Sequence, residues 1–104
     1  MPKYEITVEG SNFLVQFHAT HPRRKHGFST KFFLEAATPE AAETAAIEHL
    51  HSDLDILEVM RNTPSDPPTL QVERIAEISN WPKVARPRIG LVWYPEDSNP
   101  PEGT

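Results

Sequence analysis

Hydrophobic periodicity changes once, within a few residues, inside the segment from Phe28 to Leu50, and no other feature limits the fold as much. Before the change, Phe28, Thr30, Phe32 and Leu34 alternate with Ser29, Lys31, Phe33 and Glu35, the period of two that a strand requires. After it, Ala42, Ala46, Ile47 and Leu50 recur at helical spacing. The residues between them have the chemistry of a helix start. Thr38 is an N-cap whose hydroxyl accepts from an amide of the first turn. Pro39 occupies the first helical position, where its missing N–H costs nothing. Glu40 puts negative charge at the positive end of the helix dipole. A strand that runs into an alanine-lined helix predicts a sheet with a helix laid closely on it. It specifies no reaction.

With 104 residues the chain predicts one domain. A chain of this size buries roughly two-thirds of its unfolded surface, which supports one modest core and no large enclosed active site. The eleven prolines gather in loops and at the C-terminus, so they mark boundaries. There is no cysteine, which excludes disulfides, thiolate catalysis and cysteine-based zinc sites. No apolar run approaches the roughly 20 residues needed to cross a bilayer. The opening Met1-Pro2-Lys3-Tyr4-Glu5 lacks the apolar core of a signal peptide, and the expected location is the cytoplasm.

Alternation places Tyr4, Ile6 and Val8 on one face of a first strand over 3–9, against Lys3, Glu5, Thr7 and Glu9. Gly10-Ser11-Asn12 reads as a tight turn, and Phe13, Val15 and Phe17 as one face of a second strand. Residues 18–27 form a polar loop, followed by a third strand over 28–37. After the helix, Ser52-Asp53 caps a short second turn containing Leu54, Leu57 and Met60. The run Asn62-Thr-Pro-Ser-Asp-Pro-Pro68 is a connector that no helix can cross. In the fourth strand, 69–78, Leu70 and Val72 fall out of phase with Ile75 and Ile78. A bulge near Glu73–Arg74 restores them to one face. Trp81 anchors a loop over 79–88, and Ile89–Tyr94 forms a last short strand.

The expected fold class is α+β: an antiparallel sheet of four to five strands with one main helix packed on one face. The element order is β-β-β-α-β-β, with a ferredoxin-like tendency in which the helical crossover sets the fourth strand beside the first. Residues 1–94 make the domain, and 95–104 a flexible proline-rich tail.

Candidate chemistry is sparse. His18, His21 and His26 lie close enough in sequence to gather a metal ion. Three adjacent cations, Arg23, Arg24 and Lys25, oppose one, and no carboxylate before Glu35 is near to orient the rings. The same cations suit an anion or a phosphate backbone, joined by Lys83, Arg86 and Arg88 if the two loops meet at one end of the sheet. The net charge of −5 gives no general attraction to nucleic acid. His49 and His51 sit at the helix end, where the dipole favours a protonated imidazole. Seven acidic residues and no Lys or Arg lie between Phe32 and Met60, a pattern expected of a solvated face. Neither a nucleophile elbow nor a glycine-rich phosphate loop is present, so no enzyme activity and no cofactor is expected. Phe33 on the second sheet face is a candidate for contact with another protein; Trp93 and Tyr94, late in the chain, either close the core or form an edge for such a contact.

The run Phe32-Phe-Leu-Glu-Ala-Ala-Thr-Pro-Glu-Ala-Ala42, with Asp66-Pro67-Pro68 and the fourth strand, resembles uncharacterised small proteobacterial α+β proteins over about residues 28–78. The resemblance implies a bacterial cytoplasmic protein and carries over no catalytic residue. The expected function is a non-enzymatic protein–protein interaction module, a homodimer or an accessory subunit, with no membrane partner. One alternative is a nucleic-acid-binding accessory protein using loops 21–26 and 83–88. Another is a small-ligand or metal-binding protein centred on His18, His21 and His26.

Overall fold

In the computed structural model, which describes residues 1–79 and 88–96, alternating strands build one antiparallel sheet. β1 (Lys3–Val15) and β2 (Arg24–Glu35) form its central hairpin, with β3 (Thr69–Glu77) outside β1 and β4 (Arg88–Pro95) outside β2. The order is β3-β1-β2-β4. The helical crossover therefore does set the strand that follows it beside the first, and the α+β expectation holds. Trp81, Lys83 and Arg86 lie outside the described residues, as do 97–104 of the expected tail. Pro95 ends β4, and the Glu96 N–H, just beyond the strand, donates to the Lys25 carbonyl at 2.9 Å, so the first residue of the expected tail is strand and the second is tied to β2. No helix among the described residues is long and apolar enough to cross a membrane.

Helix α1 (Pro39–His51) starts as its sequence predicts: Thr38 is extended, and its hydroxyl accepts from the Ala41 amide at 3.1 Å. Ala42, Ala46 and Leu50, four residues apart, are buried. The alanines let the helix approach β1, β2 and β3 closely. Beneath it lie Tyr4, Ile6 and Val8 of β1 and Phe28 and Phe32 of β2, all essentially without exposed surface. The one-turn helix α2 (Leu54–Leu57) is capped by the Asp53 side chain, which accepts from the Asp55 amide at 2.9 Å. Its buried residue is Ile56, while Leu54 and Leu57 point outward. The expected apolar line through 54, 57 and 60 is therefore one of two faces of this turn, and the inward one is set by Ile56.

The bulge expected in the fourth strand is present. Val72 pairs with Val8 and Arg74 with Thr7, leaving Glu73 as the extra residue. Leu70, Val72 and Ile75 thus all pack against the core.

The expected turn at Gly10-Ser11-Asn12 is not a turn. β1 runs on through it, and the reversal occurs after Val15, so residues 3–9 and 13–17 belong to one strand and its extension. Residues 24–27, expected in the loop, are the start of β2. Asn12 has a left-handed backbone, φ 60°, a conformation asparagine tolerates better than most residues. It makes a bulge in which Ser11 and Asn12 face one partner residue, Gly27, between the Gly10–Phe28 and Phe13–His26 pairs. That extra residue shifts the alternation by one, so Phe13 and Val15 join Ile6 and Val8 on the covered face.

Side chains and backbone from distant parts of the chain hold the bulge. The Asn12 amide N–H donates to Glu96 Oε1 at 3.0 Å. Its side-chain Nδ2 donates to Asp66 Oδ1 at 2.8 Å and to the Pro67 carbonyl at 3.0 Å. Its carbonyl accepts from Asn62 Nδ2 at 2.9 Å. Asn62 Oδ1 in turn accepts from the Leu14 amide at 2.9 Å. Lys25 Nζ donates to Asn12 Oδ1 and pairs with Asp66 Oδ2 at 2.6 Å. The turn-rich connector is thereby tied across both strands of the hairpin.

Hydrogen bonds from Lys25 and Asn12 hold the Asp66 carboxyl below its ordinary pKa. A carboxylate whose folded pKa is depressed stabilises the fold above its unfolded value, and the contribution disappears as pH falls through the folded value. Asp66→Asn should therefore lower stability at pH 7 and reduce the dependence on pH below about 4; denaturant titrations of both proteins at pH 7 and pH 3 measure it. Gly10 lies beneath the Phe28 and Phe13 rings, and a Cβ there would overlap both. Gly10→Ala should cost about 1–3 kcal/mol by overpacking, read from the shift in the urea midpoint.

Candidate interaction surfaces

The candidate residues separate into three places. The hairpin tip holds His18, His21, Arg23 and Arg24. His18 and His21 come together, ring centroids 4.8 Å apart, while His26 turns toward Phe17 at 5.2 Å and Trp93 at 6.3 Å. The three imidazoles do not converge. Among the described residues no group of three His, Cys, Asp or Glu is placed to hold a metal ion. Lys25 is engaged by Asp66.

Of the second basic segment only Arg88 is described, and its backbone lies away from the first segment. Arg88 pairs in register with Phe32, whereas Arg24 pairs with Val15 at the other end of β2. Eight residues of strand at about 3.3 Å each put their backbones roughly 26 Å apart. The expected joint basic surface is overturned to that extent, because the register of β4 carries its start to the far end of the sheet.

The second place is the groove between the helices and the sheet, a cavity of about 250 Å³ lined by Phe13, Ile47, Leu50, Ile56, Met60 and Leu70 among others. It falls below the usual size of a site for a drug-sized ligand, about 300–1,000 Å³, and among the described residues no Lys, Arg, Asp or Glu lines it to orient a smaller one. Its lining is almost wholly apolar, with His51 at its edge. His49 points elsewhere and packs edge-on against Phe32 at 5.3 Å.

The third place is β4. Trp93 and Tyr94 were grouped by sequence proximity, but alternation sends them to opposite faces. Trp93 lies on the covered face, packed against Phe13, Phe17 and Phe28 with ring centroids 6.0, 5.7 and 5.3 Å away respectively. Tyr94 lies on the open face above Gly27, where a Cβ would come within 2.6 Å of its ring. Burial, then the carboxylates of Glu9, Glu96 and Glu73, raise its hydroxyl above the usual tyrosine pKa, so it stays a neutral donor. Val92, 63% exposed, shares that face with Tyr94, 39% exposed. Phe33 is on the same face, half-buried and paired in register with Glu5.

The open face is therefore divided. Over β1 it carries Lys3, Glu5, Thr7 and Glu9, with Glu5 paired to Lys31 at 3.5 Å. Along β4 it is apolar. Among the described residues no helix covers this face and no strand pairs with the outer edge of β4. Gly90, φ 68°, makes a third bulge in the sheet, near the start of that strand. The signal that marks the edge was present in the sequence: Leu91-Val-Trp-Tyr94 is an uncharged run of strong β-formers.

Truncation should separate the two aromatics. Trp93 is partly buried against the core, so Trp93→Ala is expected to cost about 2–3 kcal/mol, below the range for a fully buried Trp, and Tyr94→Ala clearly less, in thermal or urea unfolding. No family model matches the chain, and no curated protein or solved structure is significantly similar to it.

Proposed function

We propose that the chain is a non-enzymatic interaction module that works as a homodimer, joined edge to edge through β4. The observation that carries this reading is the contrast between the two sheet edges. β3 has the features that discourage pairing: the Glu73 bulge and the charged Arg74 and Glu77. β4 has its own bulge at Gly90, but beyond it the stretch from Leu91 to Tyr94 is regular and uncharged, and its open-face neighbours Val92 and Tyr94 are exposed.

A second copy fits this edge. Antiparallel pairing of a strand with itself is two-fold symmetric, so one patch serves both partners. With Val92 on the axis, Leu91 of each copy faces Trp93 of the other. The result is a continuous eight-stranded sheet with an apolar strip over its centre. A bacterial, cytoplasmic accessory role belongs to the same reading and is supported by the resemblance noted above and by the lack of cysteine.

The cysteine-free background gives a direct test. Residues directly opposite in an antiparallel pair have Cα atoms about 4.5–5.5 Å apart, within disulfide range. Val92→Cys should therefore oxidise to a covalent dimer, whereas Thr44→Cys, exposed on α1, should not. Val92→Lys should sediment as a monomer while remaining folded. A wild-type protein that sediments as a monomer at tens of micromolar, with no cross-linking through position 92, would overturn the proposal.

A further inference from the structure

The hairpin tip contains a second site that the β4 interface does not use. A pocket of about 190 Å³ opens there, lined by Val15, Phe17, His21, Pro22, Arg24 and His26. At about 30 Å³ per water, it has the room of about six waters, enough for one ring and one small polar group. We infer that this pocket binds a small planar aromatic carboxylate.

Its two halves differ in chemistry. Val15, 1% exposed, supplies an apolar base. Phe17, 41% exposed, stands as a flat wall, edge-on to His26 at 5.2 Å and to Trp93 at 5.7 Å. Pro22 adds a second rigid apolar surface. Arg24 brings the charge. Among the described residues it has no salt-bridge partner, unlike its neighbour Lys25, and no carboxylate lines the pocket. A guanidinium offers two parallel N–H donors that match the two oxygens of a carboxylate.

Local hydrogen bonds shape the pocket before any ligand arrives. Gln16 Nε2 donates to the His21 carbonyl at 2.8 Å, and the His21 amide donates to the His18 carbonyl at 3.0 Å. His26 Nδ1 lies 3.1 Å from the Arg24 carbonyl. A carbonyl can only accept, so that nitrogen carries the proton and the ring is held in place. His26 therefore acts as a wall beside Phe17, while Arg24 is the anchor.

The same geometry disfavours a nucleic-acid strand. An extended polyanion needs successive cations and stacking surfaces. Here Arg88, the described cation of the other basic segment, has its backbone at the far end of β2, and the open face of the sheet carries Glu9. Inorganic phosphate would use Arg24 but leave the apolar half empty.

Proton–nitrogen correlation spectra of the full chain test the inference, with benzoate as the probe. Expected are saturable shifts centred on His21, Arg24 and His26. Neutral benzamide should bind about tenfold more weakly or worse, the usual effect of losing a charged hydrogen bond. Arg24→Gln should cause a similar loss, while Arg23→Gln changes affinity by less than about twofold, since its charge is exposed and outside the pocket. Phe17→Leu should weaken benzoate without unfolding, which the same spectra report. Four results would overturn the proposal: no saturation at millimolar benzoate, equal losses for the two arginine variants, phosphate binding as well as benzoate, or a single-stranded oligonucleotide binding more tightly than benzoate.

Discussion

Strict alternation along β1 would turn Asn12 and Leu14 inward and leave Phe13 and Val15 in water. The left-handed backbone at Asn12 prevents this by adding one residue to the strand. Everything toward the hairpin tip depends on that shift: the burial of Phe13 and Val15, the seating of Trp93 against Phe13, and the direction in which Phe17 leaves the strand. A left-handed non-glycine residue costs roughly 1–2 kcal/mol. It persists here because its amide, carbonyl and side chain all find partners, among them Glu96, Asn62 and Asp66. The bulge and the connector hold each other in place.

This arrangement explains why some of the fold was legible in the sequence and some was not. The Thr38-Pro39-Glu40 junction is local: the cap and its acceptor lie three residues apart, so the residue types alone settle it. The Glu73 bulge was legible because a phase slip shows in the spacing of Val72 and Ile75. Gly10-Ser-Asn12 misleads because a left-handed residue serves a turn and a bulge equally well. What decides between them is Asp66, 54 residues away, and Glu96, 84 residues away, and no local pattern contains those contacts. The three histidines looked like one group by spacing, yet strand direction sends His26 to the aromatic cluster and leaves His18 and His21 on the loop.

The candidate sites show the same division. That Trp93 and Tyr94 face opposite ways follows from alternation alone, so their separate roles were readable in principle. The pocket beside Arg24 was not, since it needs the ordered path of residues 16–23 and the edge-on stacking of Phe17 on Trp93. The separation of the Arg88 backbone from Arg24 depends on the register of β4 on β2, which composition does not encode.

The unlike edges of the sheet have one more consequence. Any strand that pairs with its own copy leaves the far side of each subunit as the new boundary of the assembly. Here that boundary is β3, kinked at Glu73 and carrying Arg74 and Glu77. If two copies join through β4, as proposed, growth by strand addition terminates after a single step, and the molecule self-associates without seeding a fibril.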